Sequence, residues 1–152
     1  MQPISRNKRA FSDYEILDKL EAGIVLTGPE VKSAKTGGAS LVGSYAKVLG
    51  GELYLVGAQI QPYRYATSNE SYDPQRSRKL LVHAQELRRL QSALLERGRT
   101  LVPLELHVSR GRVKILIGVG RAKKKFDKRE TIKQRETTRK LQRVVKRSIK
   151  NT

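Results

Sequence analysis

Hydrophobic residues alternate with other residues over several stretches of the chain, and this alternation predicts a mainly β fold. The clearest example is a set of four β-branched residues near the end of the folded part: Val113, Ile115, Ile117 and Val119. An apolar run from Leu101 to Val108 precedes them across Ser109-Arg110-Gly111. The two runs therefore predict a hairpin with one buried face. His107 is expected on the opposite, solvent-facing side.

The stretch from Glu21 to Lys35 predicts a strand that turns at once into a short helix. Ile24-Val25-Leu26 is an apolar run typical of a strand covered on both faces. Thr27-Gly28 can supply the N-cap, and Pro29 suits the first helical position. Upstream, the pattern extends the strand back to about Tyr14, with a bulge or bend near Ala22-Gly23. The helix is expected to end by Thr36-Gly37-Gly38.

Two further elements follow from turn and helix signals. Gly50-Gly51 lies between β-rich runs and predicts a hairpin. A helix is predicted from about Ala84 to Arg97, because Leu87, Leu90 and Leu94 form one apolar stripe and Gly98 follows. His83 is interpreted as a helix-start residue rather than a ligand. In total we expect five or six antiparallel strands and two or three helices.

The segment between residues 63 and 77 mixes tyrosines with arginines and leaves two interpretations open. Tyr63, Tyr65 and Tyr72 alternate with arginines, as in loops that stack on bases and contact phosphates. The same tyrosines could instead pack the loop onto the folded core.

Charge narrows the function more than any single motif. The 152 residues carry a net charge of +18, which indicates a polyanionic partner. No cysteine is present, which excludes disulfides and thiolate chemistry. The two histidines lie far apart, and no metal-ligand spacing, catalytic triad or phosphate-binding glycine loop occurs. We therefore expect a cytosolic RNA-binding protein without a membrane span, metal or cofactor, and not an enzyme.

The chain changes character after Gly120. Residues 121 to 152 contain 14 Lys or Arg and three acidic residues, so this tail should be disordered when free and helical against RNA. The preceding residues 1 to 120 are expected to form one domain. Few strands with mixed helices on a basic chain suggest a closed, OB-like antiparallel β-barrel.

Five short motifs, in this order, resemble those of the SsrA-binding protein (small protein B) family. They are Asn7-Lys8-Arg9-Ala10, Glu21-Ala22-Gly23-Ile24, Glu30-Val31-Lys32-Ser33, Arg78-Lys79-Leu80-Leu81, and the tail segment from Lys123-Lys124 through Asp127-Lys128-Arg129. Each motif is weak alone, but five in order are specific, and the resemblance covers the chain from about Asn7 to Arg139.

The resemblance implies a partner, a process and two groups of site residues. It implies an OB-like barrel that binds the tRNA-like domain of transfer-messenger RNA (tmRNA). The aminoacylated RNA, carried by elongation factor Tu with GTP, is delivered to stalled ribosomes by a monomeric factor whose tail lies in the empty mRNA channel. The implied tmRNA surface contains Asn7, Lys8, Tyr14, Glu21, Lys32, Lys35, Arg78, Lys79 and Leu81. The implied part at the decoding centre of the small ribosomal subunit contains Lys123, Lys124, Phe126, Asp127, Lys128 and Arg129.

Lys8, Lys35, Arg78 and Lys79 are expected to contact phosphates, while Glu21 and Asn7 are expected to supply discrimination. Two departures from the family pattern affect the tail. Ala122 stands where glycine is common, which predicts a stiffer joint, and Phe126 replaces a Tyr or His, which keeps stacking but loses a polar group. A structural ribosomal protein and an RNA-modifying enzyme are the alternatives.

Overall fold

A seven-stranded antiparallel sheet dominates the fold, in the order β1-β8-β9-β2-β7-β5-β4, and β3 and β6 form a separate pair. A computed structural model describes residues 2–66, 71–123, 135–136 and 139. Its elements are β1 (Gln2–Arg6), α1 (Lys8–Asp13), β2 (Tyr14–Ile24), α2 (Gly28–Lys35), β3 (Ala39–Ser40), β4 (Tyr45–Leu49), β5 (Glu52–Val56), β6 (Gln59–Ile60), β7 (Arg78–Leu81), α3 (Ala84–Leu94), β8 (Arg99–Ser109) and β9 (Arg112–Ala122).

The prediction of a mainly β protein with two to three helices is confirmed. Within the described residues the ladder has β1 and β4 at its edges and does not close on itself. The closed barrel therefore stays a prediction. The described part contains nine strands, more than the five or six expected. Strands β1 and β7 were not predicted, and β3 and β6 are only two residues long. Their sequences contain no alternation from which a strand could be predicted.

The three longest strands, β2, β9 and β8, lie side by side and have two distinct faces. One face belongs to the main core and carries alternate residues of each strand, such as Ala22, Ile115 and Leu106, which are paired in register. We call the opposite face, which carries Glu21, Lys114, Leu116, Glu105 and His107, the outer face. The alternation of β2 slips at Leu17, because a bulge separates Ile16 from Asp18. The prediction of a bulge near Ala22-Gly23 is therefore wrong, because the bulge lies earlier in the strand.

Helix α1 covers one half of the outer face. Val102 and Leu104 of β8 are buried there with Ala10 of α1, and Tyr14 and Ile16 pack against them. The sequence analysis assigned no helix to this segment, since six residues are too few to show a helical stripe. This second layer explains why β8 is buried on both faces and lacks clear alternation.

The prediction that His107 faces solvent is wrong, because its side chain is only 2% exposed. Strand β1 pairs with β8 next to His107, and Pro3 lies directly opposite it. Two glycines of β9 make room for the layer under α1. A Cβ at Gly118 would lie 2.9 Å from Leu104 Cδ1, and one at Gly120 would lie 3.0 Å from Val102 Cγ2.

The helix predictions were close. Thr27 is the N-cap of α2, where its side chain accepts from the Glu30 amide and its own amide donates to Glu30. Helix α3 ends three residues earlier than predicted and buries Leu90. His83 precedes its first turn and donates its amide to Glu86 at 2.9 Å. None of the helices in the described ranges is long and apolar enough to cross a membrane.

The remaining strands partly agree with the pattern. Gly50-Gly51 joins β4 to β5 with φ angles of 58° and 75°, which glycine adopts readily. Val25, expected in a strand covered on both faces, is 45% exposed just after β2 ends. Arg78–Leu81, for which the sequence analysis predicted no strand, is strand β7, between β2 and β5.

Candidate nucleic-acid interface

A basic groove opens beside the tip of the β8–β9 hairpin. The cleft has a volume of about 600 Å³ and is lined by Glu21, Ser109, Arg110, Arg112 and Lys114. We call this cleft the hairpin groove. Glu21 enters it from β2, which pairs with β9, while Arg110 comes from the hairpin turn and Arg112 from the first position of β9.

An apolar cleft of about 250 Å³ adjoins the hairpin groove and shares Arg112 and Lys114 with it. Leu81, which is 53% exposed, forms part of its wall together with Ile24 and Val31. Helix α2 stands next to the same hairpin, since Lys35 Nζ donates to the Gly111 carbonyl at 3.4 Å. The fold therefore brings together three residues of the predicted RNA surface, Glu21, Lys35 and Leu81, from separate elements.

In the hairpin groove the carboxylate has a partner, whereas the cationic side chains have no carboxylate partner among the described residues. Glu21 Oε2 lies 3.1 Å from His107 Nε2. Within the described residues, no carboxylate oxygen lies within 4.0 Å of the cationic nitrogens of Arg110, Arg112 or Lys114. Three cations without a carboxylate partner, beside one carboxylate, can bind phosphates and also accept a hydrogen bond from a base amino group.

The other predicted lysines are on the surface. Lys8 is exposed on α1, and Lys32 is exposed on α2 with Nζ 5.7 Å from the centre of the Tyr63 ring. Lys79 is exposed on β7 and pairs with Glu52 at 3.0 Å. This last pair is open to solvent on both sides, so RNA could replace Glu52 at little cost.

Two predicted RNA contacts are instead inside the fold. Asn7 is 6% exposed, and its side-chain amide donates to the Pro103 carbonyl at 2.9 Å while its oxygen accepts from the Ala10 amide. Arg78 is 0% exposed. Neither side chain can touch RNA in this conformation, so the structure favours a structural role for both.

Arg78 belongs to a buried cluster centred on Glu30. Arg78 Nε and Nη2 donate to Glu30 Oε2 at 2.9 and 2.6 Å, and Arg76 Nε donates to the same oxygen at 3.1 Å. Burial alone would raise the pKa of Glu30, but the hydrogen bonds, chiefly from Arg76, outweigh it and lower the pKa from 4.5 to about 2. The sequence analysis named Glu30 only as part of a family motif.

Of the tyrosines between residues 63 and 77, one packs onto the folded core and another is exposed and available for base stacking. Tyr72 packs inward, where its hydroxyl lies 3.0 Å from Glu30 Oε2 and 2.8 Å from the Ile60 carbonyl oxygen and can donate to either one. Tyr63 and Tyr65 meet edge to face with ring centres 5.6 Å apart, and Tyr65 is 73% exposed. Tyr65 thus remains available for stacking, and Tyr72 does not.

The α1 side of the molecule carries two more of the predicted residues, Tyr14 and Lys123. Tyr14 is half-buried on β2 and lines a third cleft, of about 350 Å³, with Asn7 and Tyr45. Lys123 follows β9, and its Nζ donates to the Phe11 carbonyl at 3.1 Å. The other predicted tail residues lie outside the described residues: Lys124, Phe126, Asp127, Lys128 and Arg129.

The sequence analysis missed His107 and the hairpin arginines as site residues. Arg110 lies in the turn that it had predicted and Arg112 directly follows it, so strand register could have placed them beside Glu21. The alternation of the hairpin gave no signal for His107, because it predicted an exposed side chain where the structure has a buried one. No group of three or more potential metal-ligating side chains occurs in the described part of the chain.

Comparisons with known proteins point in one direction. A family model described as SmpB protein matches residues 4–147. The SsrA-binding protein of Syntrophobacter fumaroxidans is 50% identical over 144 residues, covering 95% of this chain and 89% of that protein. The SsrA-binding protein of Cupriavidus pinatubonensis is 48% identical over 143 residues, covering 94% and 95%. A solved chain from work described as "tmRNA-SmpB: a journey to the center of the bacterial ribosome" is 44% identical, with a TM-score of 0.65 and coverage of 84% and 92%.

Proposed function

The chain belongs to the SmpB protein family, and from this premise we propose that it binds tmRNA and acts in trans-translation, the rescue of stalled ribosomes. The observation that carries the proposal is the hairpin groove, where Arg110, Arg112 and Lys114 lie beside Glu21 and have no carboxylate partner among the residues that the structure describes. The net charge of +18 supports a large polyanionic partner.

We propose that the hairpin groove and its apolar neighbour bind the tRNA-like domain of tmRNA. A folded RNA is recognised mainly by shape and backbone, with a few contacts to bases. The groove cations, Lys35 and the exposed Lys32 supply phosphate contacts, Leu81 supplies an apolar contact, and Glu21 accepts from a base. Asn7 and Arg78 act indirectly, by holding α1 and β7 in place.

The finer parts of the proposal concern the assembly. The protein acts as a monomer in the cytoplasm. It delivers alanyl-tmRNA, which elongation factor Tu carries with GTP, to the decoding centre. Residues 121–152 form a unit separate from residues 1–120 and lie in the mRNA channel. The sheet closes into an OB-like barrel, an interpretation that the packing of β4 against β8 supports.

Competition binding tests the RNA partner. The purified protein is titrated against the tRNA-like half of tmRNA at near-physiological salt, with excess ordinary tRNA as competitor. We expect binding that survives the competitor. Binding that ordinary tRNA abolishes would refute the specific partner and favour a structural ribosomal protein, which should also stay on ribosomes through high-salt washing.

A truncation tests the division of labour between the folded part and the tail. Deleting residues 124–152 leaves β9 and the contacts of Lys123 with Asp13 and Phe11 in place. We expect the truncated protein to bind the tRNA-like half as tightly as the full chain does, but to support no peptide tagging on stalled ribosomes. Tagging by the truncated protein would show that the tail assignment is wrong.

A further inference from the structure

Glu21 and His107 meet across an intervening strand on the outer face. Glu21 is on β2 and His107 on β8, with β9 between them. Glu21 pairs with Leu116 of β9 and His107 pairs with Lys114 of β9, two residues away, so both side chains lie on the same face. His107 is 2% exposed and Glu21 is 45% exposed. A fixed imidazole therefore contacts a carboxylate that faces solvent.

The groove cations are the natural competitors for this carboxylate. Arg110, Arg112 and Lys114 line the same cleft as Glu21, and opposite charges this near each other attract even when solvent weakens the interaction. Glu21 is nevertheless within 4.0 Å of His107 and of no other basic nitrogen in the described part of the chain. The imidazole thus keeps the carboxylate apart from the cations.

The hydrogen bonding of His107 supports a specific role for this contact. Nε2 interacts with Glu21, whereas Nδ1 is buried, has no hydrogen-bond partner in the described ranges and lies 3.9 Å from Glu105 Oε1. An unpaired buried nitrogen disfavours histidine relative to an apolar residue of similar size. The contact through Nε2 is therefore what distinguishes histidine from an apolar residue at this position.

We propose that His107 is a positioning residue that sets RNA specificity through Glu21, an inference that rests on the proposed function of the hairpin groove. His107 holds the Glu21 carboxylate as an acceptor for a base amino group, and it keeps the three groove cations free for phosphates. Without the imidazole, the carboxylate pairs with a groove cation, so that one acceptor and one phosphate contact are lost together.

A double-mutant cycle tests the inference. Wild type, Glu21→Gln, His107→Leu and the double variant are titrated with the tRNA-like half of tmRNA and with ordinary tRNA, at several salt concentrations. Glu21→Gln should lower the preference for tmRNA over ordinary tRNA about tenfold. It should leave the dependence of affinity on salt as steep as in wild type. His107→Leu should lower the preference similarly and also make the slope of log affinity against log salt shallower by about 0.7–0.9, one phosphate contact.

The double variant separates positioning from general packing. Because a neutral glutamine in place of Glu21 cannot neutralise a groove cation, the double variant should recover the wild-type salt slope and prefer tmRNA no less than Glu21→Gln alone. Additive losses of preference, or a salt slope unchanged in His107→Leu, would overturn the inference.

His107→Gln covers the case in which His107→Leu does not fold. The side-chain amide of glutamine can donate from about the position of Nε2, so this variant should keep the wild-type preference and slope. A loss as large as that of Glu21→Gln would refute positioning by His107. Failure of the proposed function looks different, since wild type itself would then show no preference for the tRNA-like half over ordinary tRNA.

Discussion

Replacing Glu30 with glutamine would remove the negative charge at the centre of the cluster that joins α2 to β7. The Glu30 side chain is 1% exposed and that of Arg78 is 0% exposed, so water cannot replace the lost charge. The guanidinium of Arg78 would keep its bonds to the carbonyls of Ala58 and Arg76. It would nevertheless remain buried without an anion, which is among the costliest single changes in a protein interior.

Two independent routes give a similar magnitude. The pKa of Glu30 is lowered from 4.5 to about 2, which corresponds to about 3 kcal/mol of folding free energy at about 1.4 kcal/mol per pKa unit. Removing one partner of a buried ion pair typically costs about 3–5 kcal/mol. Either figure is a large share of the roughly 5–15 kcal/mol by which a domain is usually stable.

The pH dependence of this contribution has a definite sign. Because the folded-state pKa of Glu30 is depressed, the stabilisation is fully present above the unfolded value of 4.5 and is lost as the pH falls toward about 2. Glu30→Gln has no such titration. The difference in unfolding free energy between wild type and variant should therefore narrow to about half between pH 7 and pH 3.

Denaturant unfolding at the two pH values measures this difference directly. Glu52→Gln is the matched control, since Glu52 pairs with Lys79 at the surface and its loss should change stability little at either pH. A difference between wild type and Glu30→Gln below about 1 kcal/mol at pH 7, or one that does not change with pH, would refute the reasoning.

Two further stability predictions concern the layer beneath α1, and both are measured by denaturant unfolding at pH 7. Gly118→Ala should destabilise the protein by about 1–3 kcal/mol, because its Cβ would lie 2.9 Å from Leu104 Cδ1; an unchanged midpoint would show that Leu104 can move aside. Asn7→Ala should cost about 1–3 kcal/mol, because it removes the cap of α1 and the bond to the Pro103 carbonyl. The folded Asn7→Ala protein should bind RNA as tightly as wild type does. Weaker binding would indicate that Asn7 contacts RNA directly.

Local signals in the sequence predicted the elements whose physics is local. Thr27 caps α2 through atoms three residues apart, and Gly50-Gly51 forms its turn through two backbone angles. The β8–β9 hairpin was likewise predictable, because one of its faces belongs entirely to the core. For the site, the family resemblance named Glu21, but its position beside the β8–β9 hairpin became visible only in the strand register of the structure.

The errors share a different cause, which is that sequence patterns do not reveal what covers the far side of an element. His107 has the spacing of a solvent-facing residue, but it is 2% exposed on β8, a strand that pairs with β1 on one side and with β9 on the other. Arg78 follows a run of charged and polar residues, yet it is completely buried because Glu30 neutralises it from another element. Whether a basic residue is a phosphate contact depends on such distant partners.

The placement of the acidic residues, more than the abundance of basic ones, determines where this protein can bind RNA. Only 14 acidic residues accompany 32 basic ones, and several of the former are already paired. Glu30 neutralises buried arginines, Glu15 pairs with Arg121, and Asp18 pairs with Arg89. At the hairpin groove the one carboxylate, Glu21, contacts a histidine instead of an arginine or lysine. The groove therefore keeps both its positive charge and an acceptor, and few other arrangements of the same residues would leave the two side by side.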